Sequence, residues 1–467
     1  MPNSKQKIAI IAALNLYLSA PKKNIKLWGL ASRIESHQHQ KISTRLQLQK
    51  YMQVGKLVLV FLTLVLGLGL DVKASENNLK VCLTSCNLNT LYYPLKPITV
   101  YNQQKPLIEL NSDKCFGLTL TANKIFLNVY KVQSLANHDL PVKPIGNILL
   151  KLNPNDSFEL KIKPNDLSRF PVLKINNKSY SGNFEIFGKL IARIKPVKLI
   201  ALYTINNIEL EEYVSFVVPC EMPSSWPIEA LKAQAILARS YALANLGKYL
   251  KLGFDLKDNI EDQVYNGFID INQNVAQASN LTRGIVLTYQ GKVISSFYHS
   301  SAGGKTDLAK FVWNKDIPYL KSVDDFDDSS PFQSWNRKFS LNDLENVLYN
   351  KKSYIINLQL LSLTQSKRAH TIMVNANDNS LFLSGEQLRN LLHLPSSVFD
   401  ICYDASNNLI FTGSGYGHGL GLSQWGAKAL ASKGYNVYDI IKYYYNDIRF
   451  QGLTMRPPLK ASCEVVF

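Results

Sequence analysis

One segment, from Glu211 to Tyr241, constrains the fold of this 467-residue chain more than any other. Its first half is an apolar run that ends at the single carboxylate of Glu221, and its second half is rich in alanine. The run is typical of a strand, and Pro227, the alanines and Gly247 predict a helix from about Pro227 to Leu246. A carboxyl group held between a strand end and a helix start can have the raised pKa of a general acid. The alternative is that Glu221 only caps or pairs near the helix.

Two glycine-rich segments later in the chain accompany this pattern. They are YHSSAGGKT at Tyr298–Thr306 and GYGHGLGLSQWGA at Gly415–Ala427. Together with the Glu221 segment, and in the same order, they resemble the stage II sporulation protein D / amidase-enhancer LytB family, from roughly Leu79 to Ile448. The resemblance implies work on the cell wall. Sporulation members of that family are lytic transglycosylases acting on peptidoglycan glycan strands, and other members are non-catalytic enhancers of a cell-wall amidase.

The resemblance implies that Glu221 is the catalytic residue and that it works alone. Ordinary glycosidases pair two carboxylates, whereas a lytic transglycosylase can use one, because the muramic acid 6-hydroxyl attacks its own anomeric carbon. A second carboxylate could come from the run Asp324–Asp328, whose alternative is a solvated loop or a weak cation site. Cys220 paired with His418 would instead make a cysteine hydrolase, although an exported chain favours a disulfide or a buried thiol at Cys220.

The expected substrate groove draws on all three segments and on the loop between the first two. Gln424 and Trp425 suit a sugar, with an amide for hydroxyl groups and an indole for the pyranose face. His418 is expected near substrate, or else it braces its loop by a hydrogen bond. The remaining candidate substrate-binding residues are Arg239, Tyr241, Gln263, Tyr265, Ser300, Gly303, Gly304, Thr306 and Gly419. For Arg239 the alternative is a structural salt bridge, and for the 300–306 segment a tight structural turn.

We expect no metal site and no cofactor. Sporulation members of the family carry Cys and His around the position of Gln263–Tyr265 and bind zinc there, but in this chain the loop Asp258–Gln263 reads DNIEDQ. The glycines of Gly415–Gly421 lack the spacing of a dinucleotide-binding or phosphate-binding loop. Trp425 stands where a nucleophile elbow needs glycine, so Ser423 is a poor nucleophile.

Residues 52–74 have the features of a secretory signal. Lys56 precedes the apolar run Leu57–Leu70, and the sequence VKA at 72–74 provides a cleavage pattern, so the mature chain is expected to begin near Ser75. Residues 1–51 are then a basic leader or a mis-assigned start ahead of Met52. The alternative is that the run stays uncleaved as a membrane anchor. The expected location is exported, in the periplasm or the cell wall.

The formal charge of +17 is concentrated near the N-terminus, where residues 1–56 hold ten Lys and Arg against Glu35. A basic surface suits any polyanion, but no zinc finger or RNA-binding signature is present, so nucleic acid is not an expected partner. The expected partners are peptidoglycan glycan strands and, in the enhancer alternative, an amidase. All six cysteines follow the signal and permit disulfides, whose pairing stays open.

The expected fold is α+β, a β-rich chain with a few packed helices around a substrate groove. Residues 75–200 contain short apolar runs punctuated by Asn, Asp, Pro and Gly, which is typical of strands, and Asn176–Asn183 predicts a hairpin turn. Residues 201–460 hold the three motifs and form the expected catalytic core. Ser224 or Ser225 is the expected cap of the long helix, and short helices are predicted at Ala427–Lys433 and Val437–Tyr445.

Overall fold

The computed structural model describes residues 78–453 except 89, 103, 122–123, 133–143, 151–156, 167–169, 192–197, 350–353 and 378. The leader predicted for residues 1–51 and the signal predicted for residues 52–74 lie outside the described residues and stay predictions. In the described part of the chain, no helix is long and apolar enough to cross a membrane.

Two large sheets enclose the N-terminal part of a common hydrophobic core. Their strands are β1 (Asn78–Leu83), β2 (Leu91–Pro94), β3 (Ile98–Asn102), β4 (Lys105–Leu110), β5 (Lys114–Thr121), β6 (Lys124–Lys131), β7 (Gly146–Leu149), β8 (Ser157–Pro164), β9 (Leu173–Ile175), β10 (Lys178–Tyr180), β11 (Asn183–Ile191), β12 (Lys198–Glu209) and β13 (Leu256–Lys257). The first sheet has the order β13-β1-β12-β11-β8-β3-β4, and the second the order β10-β9-β2-β5-β6-β7. The hairpin turn predicted near residue 176 is confirmed, with Asn176 and Asn177 between β9 and β10.

Alternation along β8 shows why these segments form strands. Phe158, Leu160 and Ile162 are fully buried, whereas the charged residues between them are partly exposed. A period of two places one set of side chains on the core and the other in solvent. The second sheet contributes its own inward residues to the same core, so the two sheets pack face to face.

The apolar run before Glu221 is a helix, so the strand predicted there is wrong. It forms α1 (Leu210–Glu221), which follows β12 directly and is capped by the Glu209 carboxylate on the amide of Glu212. Its buried residues recur at helical spacing: Leu210, Tyr213, Val214, Val217 and Val218. Packing of this stripe and the cap outweigh the strand preference of the β-branched residues. Glu221 is therefore the last residue of a helix.

The predicted long helix is confirmed as α2 (Ile228–Ala244). Neither predicted serine caps it, because Pro227 is the N-cap residue and makes no side-chain cap bond. Almost every side chain from Ala230 to Ala242 is buried, so α2 lies inside the core and presents little of its surface to a groove. Gly247 follows its end with a φ of 74°, a conformation that favours glycine.

The remaining elements complete an α+β fold, which confirms the predicted class. The helices are α3 (Gln273–Leu281), α4 (Ala309–Val312), α5 (Leu341–Tyr349), α6 (Gly385–Leu392), α7 (Gln424–Ser432) and α8 (Val437–Tyr444). The strands are β14 (Ile285–Tyr289), β15 (Lys292–Val293), β16 (Tyr298–His299), β17 (Trp335–Phe339), β18 (Ile355–Leu363), β19 (Ala369–Ala376), β20 (Ser380–Leu383), β21 (Phe399–Tyr403), β22 (Leu409–Gly413), β23 (Leu422–Ser423) and β24 (Arg449–Gly452). The two short helices predicted after Gly426 are confirmed as α7 and α8.

Residues 335–413 form a subdomain on a hydrophobic core of their own. It contains two three-stranded sheets, β17-β22-β21 and β18-β19-β20, with α5 and α6 packed on them. This subdomain separates the two glycine-rich segments in the chain, yet β16 of the first segment pairs in parallel with β23 of the second. The fold therefore joins the two motifs through backbone pairing.

The five described cysteines, Cys82, Cys86, Cys115, Cys220 and Cys402, are free thiols. Burial raises the pKa of Cys82 to about 12, and the pKa values of Cys86 and Cys115 to about 11. Cys463 lies outside the described residues. Within the described chain the cysteines therefore form no cross-links, and Cys82 and Cys115 act as small buried side chains.

Candidate active site

Glu221 lies at the centre of a cluster of hydrogen-bond donors from three separate segments. Its Oε1 atom accepts from the amide of Val264 at 3.0 Å and from the Tyr298 hydroxyl at 3.3 Å. Its Oε2 atom accepts from Nε2 of Gln424 at 3.4 Å. The fold thus brings the predicted catalytic residue together with one residue from each glycine-rich segment.

The environment of Glu221 favours the protonated carboxyl. Burial raises its pKa, and the hydrogen bonds from Val264, Gln424 and Tyr298 lower it by less. The negative end of the α1 dipole acts in the same direction as burial, because Glu221 is the last residue of that helix. A carboxyl group with a raised pKa retains its proton closer to neutral pH, as a general acid must.

Gln263 is buried, so the contact with substrate predicted for it is wrong. Its side chain is 1% exposed, and Nε2 donates to the Tyr298 hydroxyl at 2.9 Å and to the Ala238 carbonyl at 3.4 Å. Its Oε1 atom accepts from the Tyr213 hydroxyl at 3.3 Å. Both ends of the amide are occupied by the protein, so Gln263 acts on Tyr298 and not on a sugar.

The second glycine-rich segment ends in the helix that positions Gln424. Ser423 caps α7 by accepting from the amide of Gly426, which fixes Gln424 in the first turn. Nε2 of Gln424 also contacts Oε1 of Gln234, a buried residue of α2, at 3.4 Å. Ser423 is fully buried, which agrees with the prediction that it is a poor nucleophile.

Trp425 and Ser300 lie beside each other, as expected for two walls of one groove. The Trp425 amide donates to the Ser300 carbonyl at 3.0 Å. The half-buried indole packs edge-on against Trp226 with ring centroids 4.8 Å apart, and Nζ of Lys428 lies 4.2 Å from the Trp425 ring centroid. A partly exposed indole, one residue after Gln424, is a surface on which a sugar ring can stack.

The first glycine-rich segment is folded around the carboxylate of Asp327. The amides of Gly303 and Gly304 donate to its two oxygens at 2.8 and 3.2 Å, and the Ser301 hydroxyl donates at 2.5 Å. Both glycines have φ values that favour glycine, 75° and 98°. The structural turn that the sequence left as an alternative is therefore present, with Gly304 exposed at its edge.

The acidic run Asp324–Asp328 is partly buried. The alternative prediction of a solvated loop therefore describes only the ends of the run. Asp327 is 1% exposed, whereas Asp324 and Asp328 are exposed. Burial raises the pKa of Asp325 to about 6, and its Oδ1 atom accepts from the Tyr444 hydroxyl at 2.7 Å. In the described chain, none of these carboxylates is hydrogen-bonded to Glu221. The run holds the loops around the acid.

Thr306 is fully buried, so the contact with substrate predicted for it is wrong. Its hydroxyl donates to the carbonyl of Lys321 at 3.0 Å and accepts from the amide of Val323 at 2.9 Å. These bonds tie the end of the glycine-rich segment to the strand-like stretch before the acidic run. Thr306 therefore stabilises the glycine-rich loop through buried hydrogen bonds.

Arg239 also lies in the core, which corrects its predicted place in the groove. Its guanidinium forms two hydrogen bonds with the Glu211 carboxylate, at 2.8 and 2.7 Å, and a third with the carbonyl of Ile285 at 3.1 Å. Both side chains of this ion pair are buried, so neither is accessible to a ligand. The structural salt bridge left open by the sequence is the arrangement found.

Tyr241 and Tyr265 are buried as well, and their predicted substrate contacts are wrong. The Tyr241 hydroxyl donates to Asp262 at 3.0 Å, and the Tyr265 hydroxyl donates to Asn206 of β12 at 2.7 Å. Both residues belong to the main hydrophobic core. Their rings stabilise the loop between α2 and α3 from the inside.

His418 braces its loop, which is the alternative that the sequence left open. Its Nδ1 atom accepts from the amide of Leu420 at 3.0 Å, while His299 bonds to the carbonyl of the same residue at 3.1 Å. Burial lowers the pKa of His418 to about 3, so the imidazole is neutral at physiological pH. Two neutral histidines thus hold Leu420 from both sides, and His418 has no charge to offer a substrate.

Arg368 of the subdomain supports both glycine-rich segments, a role that no sequence pattern predicts. Its guanidinium donates to the carbonyl of Ala302 at 2.7 Å and covers Gly419 so closely that a Cβ there would lie 2.1 Å from its Cζ atom. Gly419 has a φ of 79°. The predicted role of Gly419 at the substrate is therefore replaced by close contact with a buried arginine.

Among the described residues, no histidine is hydrogen-bonded to Cys220. Its Sγ atom accepts from Nδ2 of Asn266 at 3.5 Å, and burial raises the pKa of the thiol. His418 is occupied at Leu420. A protonated thiol without a base is a weak nucleophile, so the geometry offers no Cys–His pair.

Comparison with known proteins identifies the family of this chain. A family described as stage II sporulation protein matches residues 200–289, which contain Glu221, and a domain of unknown function matches residues 305–421. The chain is 33% identical to stage II sporulation protein D of Bacillus amyloliquefaciens, over 54% of this chain and 77% of that protein. The chain belongs to the stage II sporulation protein D family.

Two further relatives show the range of names found among similar proteins. An uncharacterized protein of Brachyspira hyodysenteriae is 35% identical over 53% of this chain and 68% of its own length. The amidase enhancer of Bacillus subtilis is 32% identical over 49% of this chain and 39% of its own length. The names of the relatives thus include both a sporulation protein and an amidase enhancer.

The loop Asp258–Gln263, at which the family resemblance would place zinc, is held by hydrogen bonds to its carboxylates. Asp258 accepts from the amide and hydroxyl of Thr84 at 3.0 and 2.5 Å. Asp262 accepts from Tyr241, from the amide of Lys257 at 2.8 Å and from Nζ of Lys248 at 2.5 Å. In the described residues no group of three or more His, Cys, Asp or Glu side chains is placed to hold a metal. Protein donors occupy the carboxylates and so fix the loop.

Three contributors to the site were not selected from the sequence: Tyr298, Val264 and Asp327. Tyr298 stands at the start of the first glycine-rich motif, where its position before the histidine was a usable signal. Val264 acts through its backbone amide, which leaves no trace in the sequence. Asp327 belongs to the acidic run, but only the fold shows which of its carboxylates is buried.

Proposed function

We propose that this chain is an exported peptidoglycan-remodelling protein, a lytic transglycosylase that cleaves MurNAc–GlcNAc strands with Glu221 as its single general acid and base. The supporting observation is the half-buried Glu221 carboxyl, with a raised pKa, three converging donors and no carboxylate among its hydrogen-bond partners in the described chain. The sporulation and amidase-enhancer names of its relatives support a role at the cell wall.

The proposed reaction moves one proton and consumes no water. Protonated Glu221 donates to the glycosidic oxygen as the bond from that oxygen to the muramic acid anomeric carbon breaks. The 6-hydroxyl of the same muramic acid attacks that carbon and returns a proton to the Glu221 carboxylate. The products are a 1,6-anhydromuramic end and a new free end, and Glu221 is again protonated. Donors from Val264 and Tyr298 stabilise the carboxylate between the two steps.

The amidase-enhancer relative favours a second candidate function, a non-catalytic cell-wall-binding enhancer of an N-acetylmuramoyl-L-alanine amidase. In that case the groove beside Trp425 and Ser300 binds glycan without cleaving it. Glu221 is then a half-buried polar residue whose role is structural. The retained general-acid environment of Glu221 favours the enzyme.

Export follows from the signal-like residues 52–74. Cleavage after that segment places the protein in the periplasm or the cell wall, where its substrate is. Contact with a membrane arises only if the apolar run Leu57–Leu70 stays attached as an anchor.

Incubation of the full chain with purified glycan strands tests this function. Mass spectrometry of the products is expected to find 1,6-anhydromuramic ends, which are lighter by one water than hydrolysed ends. Hydrolysed ends would contradict the single-carboxylate reaction. Absence of cleavage, together with stimulation of an added amidase, would establish the second candidate instead.

A further inference from the structure

The hydrogen-bond partners of the Tyr298 hydroxyl determine where its proton points. The carbonyl of Ala238 can only accept a hydrogen bond, and it lies 3.4 Å from Nε2 of Gln263, so the nitrogen end of that amide faces Ala238 and Tyr298. The Tyr298 oxygen therefore accepts from Gln263 at 2.9 Å. Its own proton then points to Oε1 of Glu221, 3.3 Å away.

The opposite end of the Gln263 amide is fixed in the same sense. Its Oε1 atom lies 3.3 Å from the Tyr213 hydroxyl, which is buried and donates to it. A flipped amide would place its NH2 group against the Tyr213 hydroxyl, so that two donors face each other unless the hydroxyl turns away. It would also set an oxygen against the Ala238 carbonyl. The arrangement Tyr213 to Gln263 to Tyr298 to Glu221 is thus directional.

The two oxygens of Glu221 are consequently unequal. Oε1 accepts from Val264 and from Tyr298, and two donors fill the acceptor positions of a carboxyl oxygen. Oε2 has one longer contact, 3.4 Å from Nε2 of Gln424. The proton of the neutral acid therefore belongs on Oε2.

We propose that Tyr298, oriented by Gln263, is a positioning residue that keeps the transferable proton of Glu221 on Oε2. Its consequence for catalysis rests on the proposed function, whereas its effect on the Glu221 carboxyl does not. After the proton has left, the same hydroxyl stabilises the carboxylate through a hydrogen bond to a charged group. Tyr298 therefore serves both steps of the reaction without contacting the substrate.

The surroundings of Glu221 make the contribution of Tyr298 measurable. Among the described residues, the titratable side chains that interact with the Glu221 charge are Tyr213, Cys220 and Tyr298, and burial raises the pKa of each. All three are neutral where a carboxyl group titrates, and the other two donors, Val264 and Gln424, carry no charge. Loss of the Tyr298 hydroxyl therefore removes one hydrogen bond to Glu221 and leaves the charges around it unchanged, so a shift in the pKa of Glu221 reports that hydrogen bond.

The first test reads the carboxyl directly and needs no activity. The full chain is labelled with carbon-13 at Glu side-chain carboxyls, and the Glu221 resonance is assigned by its loss in Glu221→Gln. In Tyr298→Phe the pKa of Glu221 is expected to rise, because a hydrogen bond to the charged form is lost. Tyr319→Phe is the matched control, since its hydroxyl donates to the Ser295 carbonyl at 3.2 Å and not to Glu221. An unchanged Glu221 titration in Tyr298→Phe would overturn the proposal, even in a protein without glycan-cleaving activity.

The second test uses glycan cleavage and asks whether Gln263 acts through Tyr298. We expect Tyr298→Phe and Gln263→Met each to reduce kcat about ten-fold or more with little change in KM. The double variant should be no slower than Tyr298→Phe, because the side-chain amide of Gln263 bonds to Tyr298 and not to Glu221. The alkaline limb of the pH–rate profile should move to higher pH in Tyr298→Phe. Additive losses with an unmoved limb would show that both residues only maintain the fold, and would overturn the proposal.

Discussion

Nε2 of Gln424 lies 3.4 Å from Oε2 of Glu221, although 203 positions separate the two residues in the chain. Parallel pairing of β16 with β23 sets this distance, because it aligns Tyr298 with Leu422 just before α7 begins. The acid, the tyrosine and the amide are thus held by a helix end, a strand and a helix start. Rigid elements of this kind position a reacting group more accurately than loops do.

Gly419 tests whether close contact with Arg368 holds the two glycine-rich segments together. In Gly419→Ala the new Cβ would lie 2.1 Å from the guanidinium carbon, and φ is already positive at 79°. We expect the free energy of unfolding to fall by about 3 kcal/mol, from the strained backbone and overpacking together. Chemical denaturation measures this loss, and glycan cleavage should fall with it.

Gly434→Ala is the control for backbone strain alone. Gly434 has a φ of 89°, but nothing lies within 4 Å of the position where a Cβ would stand. Its substitution should cost about 1 kcal/mol. Equal losses in the two variants would mean that the Arg368 contact adds nothing at Gly419.

We expect the carboxylates of the loop before Gln263 to fix its conformation through hydrogen bonds, without a bound metal ion. Asp262→Asn removes the charge that accepts from Lys248 and Tyr241, and we expect a loss of about 2 kcal/mol in stability and reduced cleavage. The neighbouring exposed variant Glu261→Gln should change stability little, because its pair with Lys257 is at the surface. Wild-type cleavage should persist in chelator. Loss of activity in chelator that zinc restores would show that a metal site exists after all.

Asp325 predicts a particular pH dependence of stability. Its pKa is raised from 3.8 to about 6, chiefly by burial and then by Asp327, so the folded state binds the proton more tightly than the unfolded state. Stability is therefore greatest below about pH 4 with respect to this group and falls as the pH rises toward about 6. Asp325→Asn should lose this part of the pH dependence. Parallel stability curves for wild type and variant between those pH values would contradict the assignment.

Sequence patterns located the three segments of the site, but they misplaced several side chains. The helix α2 was predictable from Pro227, its alanines and Gly247, whereas α1 was mistaken for a strand because its β-branched residues favour strands and only tertiary packing overrides them. Arg239 lies on a helix that is buried on nearly every side, and its partner Glu211 comes from α1. Such contacts depend on how helices pack, which spacing along one helix cannot show.

The supporting groups were hidden for a different reason. Val264 contributes a backbone amide, and Arg368 comes from a subdomain that carries no recognisable motif. The glycines of the two segments indicate that another group lies close to the backbone. They do not indicate whether that group is a sugar or the side chain of Arg368. Only the pairing of the two segments across the fold distinguishes these possibilities.

Export makes a prediction that is independent of the fold. If residues 52–74 are a signal, the secreted chain should begin near Ser75, because the apolar run is too short to span a membrane comfortably. N-terminal sequencing of secreted protein decides this. A mature chain that still contains Leu57–Leu70 would instead indicate an anchor.

Turnover of glycan strands by Glu221→Gln tests the central claim most directly. Glutamine keeps the shape of the side chain but cannot donate a proton to the leaving oxygen or recover one from the 6-hydroxyl. We expect cleavage to fall by at least ~10²–10⁴-fold while glycan binding beside Trp425 persists. If neither the wild type nor Glu221→Gln cleaves glycan, and the variant stimulates an amidase as strongly as the wild type does, the enhancer function is favoured. Continued cleavage by Glu221→Gln, with loss of cleavage on substitution of Asp324–Asp328, would place the catalytic carboxylate in the acidic run and contradict the account.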